Sequence, residues 1–142
     1  MTKIFIGSDH AGFELKQAIL QELGIELDIH DCGTNSTERT DYPVFAKAVC
    51  NQLLKTANAI GILICSTGIG MSIAANRHSS IRAALCRNLK DAKLSRHHNN
   101  ANVLVLGASS TPADTAFNMV DTFLNTPFDG GRHEQRICQL DQ

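Results

Sequence analysis

Residues 59 to 65, AIGILIC, carry no polar side chain. A run this short cannot cross a membrane, which takes about 20 apolar residues, and a strand apolar on both faces needs helices covering both sides of its sheet. A central parallel strand is therefore predicted here, followed by the glycine-bracketed turn STGIG. The flanking chain supplies its neighbours. KIFIG is a first strand, and FELKQAILQELG spaces Leu15, Ala18, Ile19 and Leu23 on one helical face before Gly24, a stop signal. Ile25, Leu27 and Ile29 alternate with Glu26 and Asp28, the pattern of an edge strand with one wetter face. The loop CGTNSTERTD ends at Asp41 and Pro43, which start a helix turning Phe45, Val49 and Leu53 inward. MSIAAN is helical, IRAALC a fourth strand, about 88 to 97 a helix, and NVLVLG a fifth strand ending at Gly107. Thr111, Pro112 and Asp114 read as an N-terminal cap with proline at the first helical position, ahead of Ala116, Val120, Phe123 and Leu124. Strict strand-helix alternation predicts an α/β doubly wound parallel sheet, in one domain spanning 1–142. The final stretch RHEQRICQLDQ is a short helix whose apolar content, chiefly Ile137 and Leu140, suits docking on a partner subunit.

A formal net charge of -1 lacks the electrostatic footprint of a nucleic-acid binder, although a local basic cluster suffices for a small anion. The start, MTKIFIGSDHAG, has neither the length nor the flanks of a signal peptide or a membrane span. Five cysteines without CxxC pairing, Cys32, Cys50, Cys65, Cys86 and Cys138, read as free thiols in a reducing compartment, so a cytoplasmic location is expected.

In open parallel sheets, ligands bind beyond the carboxyl ends of the strands. SDHAG places Asp9 and His10 there, CSTGIG places Cys65 there, and SRHHNN places His98 and Asn99 just before strand five. Gly68 and Gly70 let backbone amides approach a ligand closely, and the following helix adds a positive dipole end, a combination that holds an anion. The segment is neither a Walker loop nor GxGxxG. Cys65 beside such amides reads either as a base or as a small buried hydrophobe. Asp9 is either a helix cap or an acid-base group, and His98 either a site residue or a surface histidine. His97 and His98 are adjacent and point apart on a helix, which disfavours joint metal ligation. Arg132 and Arg136, four apart, either clamp a phosphate or form a solvated basic face.

Together, GSDHAGFELK, ERTDYP, GILICSTGIGMSIAAN, LSRHHNNANVLVLG and GGRHEQR resemble the B-type ribose-5-phosphate isomerases, collinearly and over nearly the whole chain. That family includes isomerases of allose and galactose 6-phosphate. The resemblance implies a Rossmann-like three-layer fold with a five-stranded parallel sheet, no metal or coenzyme, and a homodimer or homotetramer whose subunits complete one another's sites. It implies interconversion of a phosphorylated aldose and ketose through an enediol. Cys65 matches the cysteine base, whereas other members place a glutamate one helical turn later, where this chain has Met71, Ser72 and Ile73. His98 matches the ring-opening acid, with Asp9 its basic partner. Charge developing on the substrate oxygen needs fixed donors, which the amides of Ser66, Thr67, Gly68, Ile69 and Gly70 and the catalytic Thr67 hydroxyl are expected to provide; Asn99 matches a hydroxyl-binding position, and His10, Arg132 and Arg136 match phosphate-binding positions. Tyr42 of TDYP is expected to line the pocket. Two departures stand out: Ser109, where many relatives carry arginine, and the segment CRNLKDA, less acidic than in the family. A six-carbon sugar phosphate as substrate, a non-catalytic sugar-phosphate-binding module and a nucleotide- or flavin-binding domain are the competing readings.

Overall fold

Successive side chains of a strand point to opposite faces of a sheet, and in this protein both faces are apolar. In the computed structural model, which describes residues 1–142, Ile4, Ile6, Ile62, Ile64, Leu104 and Leu106 face one core. Phe5, Leu63, Cys65, Val103 and Val105 face the other. The strands are β1 (Lys3–Ser8), β2 (Asp28–Asp31), β3 (Ile60–Cys65), β4 (Ala83–Leu85) and β5 (Val103–Gly107). All pair in parallel, in the order β2-β1-β3-β5-β4, so the all-apolar run AIGILIC lies at the centre as expected.

The helices are α1 (Phe13–Leu23), α2 (Tyr42–Lys55), α3 (Ile69–Ala75), α4 (Leu89–Asn99), α5 (Ala113–Asn125) and α6 (Arg132–Ile137). Leu15 and Ile19 of α1, Ala92 of α4 and Ala116, Met119, Val120 and Phe123 of α5 fill the first core. Ala46, Val49, Cys50 and Leu53 of α2 and Met71 and Ala75 of α3 fill the second. The result is the α/β architecture expected, a parallel sheet between two helical layers. None of these helices is long and apolar enough to cross a membrane.

Two local readings change, and one burial is unannounced by the sequence. β2 begins at Asp28, not Ile25, because Leu23 O accepts from Glu26 N and Leu27 N in a turn that leaves Ile25 91% exposed. Thr111 does not cap α5: Pro112 is the N-cap residue, and Thr111 Oγ1 is buried without a partner. Lys16 is fully buried in α1, held to Asp31 by contacts of 2.7 and 2.8 Å. The CRNLKDA segment has a structural role, since Asn88 Oδ1 accepts from Asp91 N at 2.8 Å and Asp91 Oδ2 from Arg87 N at 3.2 Å, a reciprocal cap on α4.

Chain order reverses at β1, whose two sheet neighbours are β2 and β3. α1 leaves toward the first core and α2 returns over the second, so the ends of β1 and β3 open the crevice in which such sheets bind ligands.

Candidate active site

Cys65 is the last residue of β3 and only 5% exposed. The chain then reverses through Gly68, at φ 80, where a Cβ would lie 2.5 Å from Leu85 Cδ1. This turn brings Gly68 N to 3.2 Å from Cys65 Sγ, so an amide donates to the sulfur. Ile69 N donates to Thr67 Oγ1 at 3.2 Å, while the amides of Thr67 and Gly70 have no acceptor in the chain. Ser66, Thr67 and Ile69 are exposed. The turn is braced from β5: Ala108 N donates to Cys65 O at 2.9 Å, and Ser109 donates to Ser66 O through its N at 2.9 Å and its Oγ at 2.7 Å. Ser109 thus stiffens the turn and adds no positive charge there.

Asp9 follows β1 and is 6% exposed. Its Oδ1 accepts from Gly12 N at 3.1 Å, which shapes the turn into α1, although the N-cap residue itself is Gly12. The cap reading and the site reading of Asp9 are compatible, because only one carboxylate oxygen is used there. His10 is tied to the loop before α2: its N donates to Thr40 Oγ1 at 3.0 Å, and its Nδ1 lies 3.2 Å from both Thr40 N and Thr40 O. Those two ring contacts belong to opposite tautomers. Tyr42, the first residue of α2, lies against Gly70, where a Cβ would sit 2.7 Å from the ring, so a side chain at 70 would displace the tyrosine. Asp9, His10, Arg39, Thr40 and Tyr42 line one open cavity of about 620 Å³.

The remaining candidates lie elsewhere. His98 and Asn99 end α4, Arg132 and Arg136 belong to α6, and α6 packs on α4. His98, Asn99, His133 and Arg136 line a second cavity of about 260 Å³. No residue lines both cavities, and neither is lined by Cys65. Arg132 and Arg136 are exposed, one turn apart, and neither has a carboxylate within 4.0 Å. α6 buries none of its own residues.

His133, Arg39 and Thr40 went unremarked in the sequence. His133 stacks on His98, with ring centroids 4.4 Å apart and planes 12° apart. Partial burial, then the positive neighbours His98, Arg132 and Arg136, hold its imidazole below the usual histidine range, with Asp129 opposing. The motif GGRHEQR contains the residue, but nothing in its spacing announces a stack onto a helix 35 positions earlier.

The chain matches the Ribose/Galactose Isomerase family over residues 4–140. It is 46% identical over 140 residues to ribose-5-phosphate isomerase B of Escherichia coli, covering 96% of this chain and 93% of that protein. A crystal structure of a ribose 5-phosphate isomerase from Thermotoga maritima superposes with a TM-score of 0.96 at 54% identity, over 99% of this chain and 97% of that one. The ribose-5-phosphate isomerase B of Mycoplasma genitalium, solved with bound ribulose-5-phosphate, gives 0.93 at 39% identity, over 98% and 93% of the two chains. The chain is therefore a member of the ribose/galactose isomerase family, and an isomerase.

Proposed function

We propose that this protein interconverts ribose 5-phosphate and ribulose 5-phosphate through an enediol, with Cys65 as the base. The observation that carries the reading is the thiol at the end of β3, with Gly68 N donating to its sulfur and the amides of Thr67 and Gly70 unclaimed. An aldose and its ketose differ by one proton on neighbouring carbons, so a single base that lifts the proton from C2 and returns it to C1 completes the carbon chemistry. Negative charge grows on the substrate oxygen meanwhile, and fixed amides stabilise it without reorganising. α3 offers no rival carboxylate, since it carries Met71, Ser72 and Ile73.

Ribose 5-phosphate is mostly a closed ring, which must open first. His98 is the acid proposed for that step, with Asp9 as the basic partner. Asn99 binds a hydroxyl, and His10, Arg132 and Arg136 bind the phosphate. These groups are split between two cavities, which supports a homo-oligomer in which the second cavity of one subunit completes the Cys65 site of its neighbour. Exposed Val44, Ile69 and Ile73 beside the Cys65 turn, and Leu140 beyond α6, supply apolar surface for that contact. No cofactor enters the proposed mechanism, and the unpaired thiols support a cytoplasmic location.

A second reading, a six-carbon sugar phosphate, draws on Ser109, which gives its hydroxyl to Ser66 O and adds no positive charge. Proton NMR in heavy water with ribose 5-phosphate and allose 6-phosphate in parallel tests both. The expected result is ribulose 5-phosphate carrying deuterium at C1, with turnover abolished in Cys65→Ala and binding weakened in Arg136→Ala. Faster turnover of the six-carbon sugar favours the second reading. Near-normal turnover by Cys65→Ala contradicts the mechanism.

A further inference from the structure

Two stacked imidazoles join α4 to α6, and a carboxylate stands beside them. His98, His133 and Asp129 each present a ligand-capable atom, and these three atoms lie within 4.8 Å of one another. In the single chain both histidines are half-buried and Asp129 is exposed, and in the oligomer proposed above an ion reaches the group by the route open to substrate. Asp129 is itself anchored to α4: its N donates to His97 O at 3.0 Å, and its Oδ1 lies 2.8 Å from His97 Nδ1. Such a second contact orients a carboxylate for ligation, as outer partners do in metal sites.

We propose that His98, His133 and Asp129 form a binding site for Zn²⁺ whose occupancy inhibits the isomerase. Two neutral imidazole nitrogens, one carboxylate oxygen and an open fourth position make a borderline donor set that suits Zn²⁺ and does not suit Mg²⁺ or Ca²⁺. Tetrahedral ligation at about 2.0–2.1 Å puts ligand atoms about 3.4 Å apart, so the donors close by roughly an ångström. The two rings lie nearly parallel, so they also tilt out of their stack until both in-plane lone pairs face the ion, and rotation about the side-chain torsions supplies both movements. The ion is not a cofactor: it takes the lone pair of His98, the acid assigned to ring opening, and places a positive charge where a sugar phosphate must settle. Inhibition rests on the function proposed above, whereas binding of the ion does not.

The test is a titration of metal-free protein with Zn²⁺ against a chromophoric chelator, run beside an assay with ribose 5-phosphate. A single Zn²⁺ per chain is expected, with affinity about tenfold or more weaker in both Asp129→Asn and His133→Gln. Cys32→Ser and Cys138→Ser, which remove the more accessible thiols, leave that affinity unchanged. Inhibition follows occupancy, reverses with EDTA, and needs correspondingly more Zn²⁺ in Asp129→Asn. Binding that survives both site variants, binding that vanishes with the thiols, or no binding at micromolar ion overturns the site. Binding without inhibition overturns the regulatory claim. If metal-free protein turned over no sugar phosphate, the functional reading would fail, and the chelator titration would still decide the site.

Discussion

Cys65 is one of five thiols, and its sulfur alone accepts a backbone amide, from Gly68. Cys50 and Cys86 lie in the two cores, where burial pushes each up to about 11. Those folded-state values exceed the ordinary 9.0, so keeping both thiols neutral stabilises the fold fully below about pH 9 and progressively less up to about pH 11. Thermal unfolding is expected to show a falling Tm across that window, with a shallower slope in a Cys50→Ala, Cys86→Ala double variant. An unchanged slope would mean that neither thiol is shielded as described. His98 allows a sharper expectation, from the substrates' own chemistry. Ribulose 5-phosphate cannot close a furanose ring, because its C5 oxygen carries the phosphate, so ring opening is needed only from the aldose. His98→Asn should therefore lose most of its kcat with ribose 5-phosphate and far less with ribulose 5-phosphate. Equal losses in both directions would move His98 from ring opening to the proton transfer itself.

Among the elements, α1 holds what the sequence concealed best. Lysine is rarely buried fully, so its chemistry assigns Lys16 to solvent, although its spacing from Ile19 and Leu23 puts it on the inward face of α1. Burial becomes possible only because Asp31 ends β2 where α1 packs, and Asp31 Oδ1 also accepts from Gly33 N at 2.9 Å. The Asp31 side chain stays 34% exposed while that of Lys16 has no exposure. Removing the carboxylate therefore strands a buried charge, whereas removing the ammonium leaves a carboxylate still reached by water. Asp31→Asn is expected to cost about 3 kcal/mol or more in urea unfolding, and Lys16→Met distinctly less. The reverse order would show that burial of Lys16 is not the controlling cost. The other elements were largely legible because pattern and packing agree there. AIGILIC could only be central, and Val49 and Leu53 turned inward as spaced. β2 was misplaced at its start because Ile25 continues an alternating pattern although Gly24 has already bent the chain.

At the scale of the molecule, the order β2-β1-β3-β5-β4 fixes where a ligand crevice opens, and that much followed from strand-helix alternation. Asp9 and Cys65 were placed at strand ends by the same logic. That His98 and Asn99 lie apart from Asp9 and Cys65 follows from the alternation, because α4 returns the chain to the amino edge of the sheet before β5, whereas spacing along a chain does not reveal which helix α6 will pack on. Its docking on α4 gathers His98, Asn99, His133 and Arg136 around one cavity, away from the one lined by Asp9, His10 and Tyr42. His133 and Asp129 acquire meaning only through that docking. The proposed mechanism therefore needs two chains for each working site, one giving Cys65 and the other His98 and Arg136. The most direct test mixes two inactive variants, Cys65→Ala and Arg136→Ala combined with His98→Asn, unfolds them together and refolds them as hybrids. If sites are shared, each hybrid dimer carries one site with every residue intact, and random pairing restores about a quarter of wild-type turnover by the statistics of a C2 dimer. If each chain builds its own site, the mixture stays as inactive as its components.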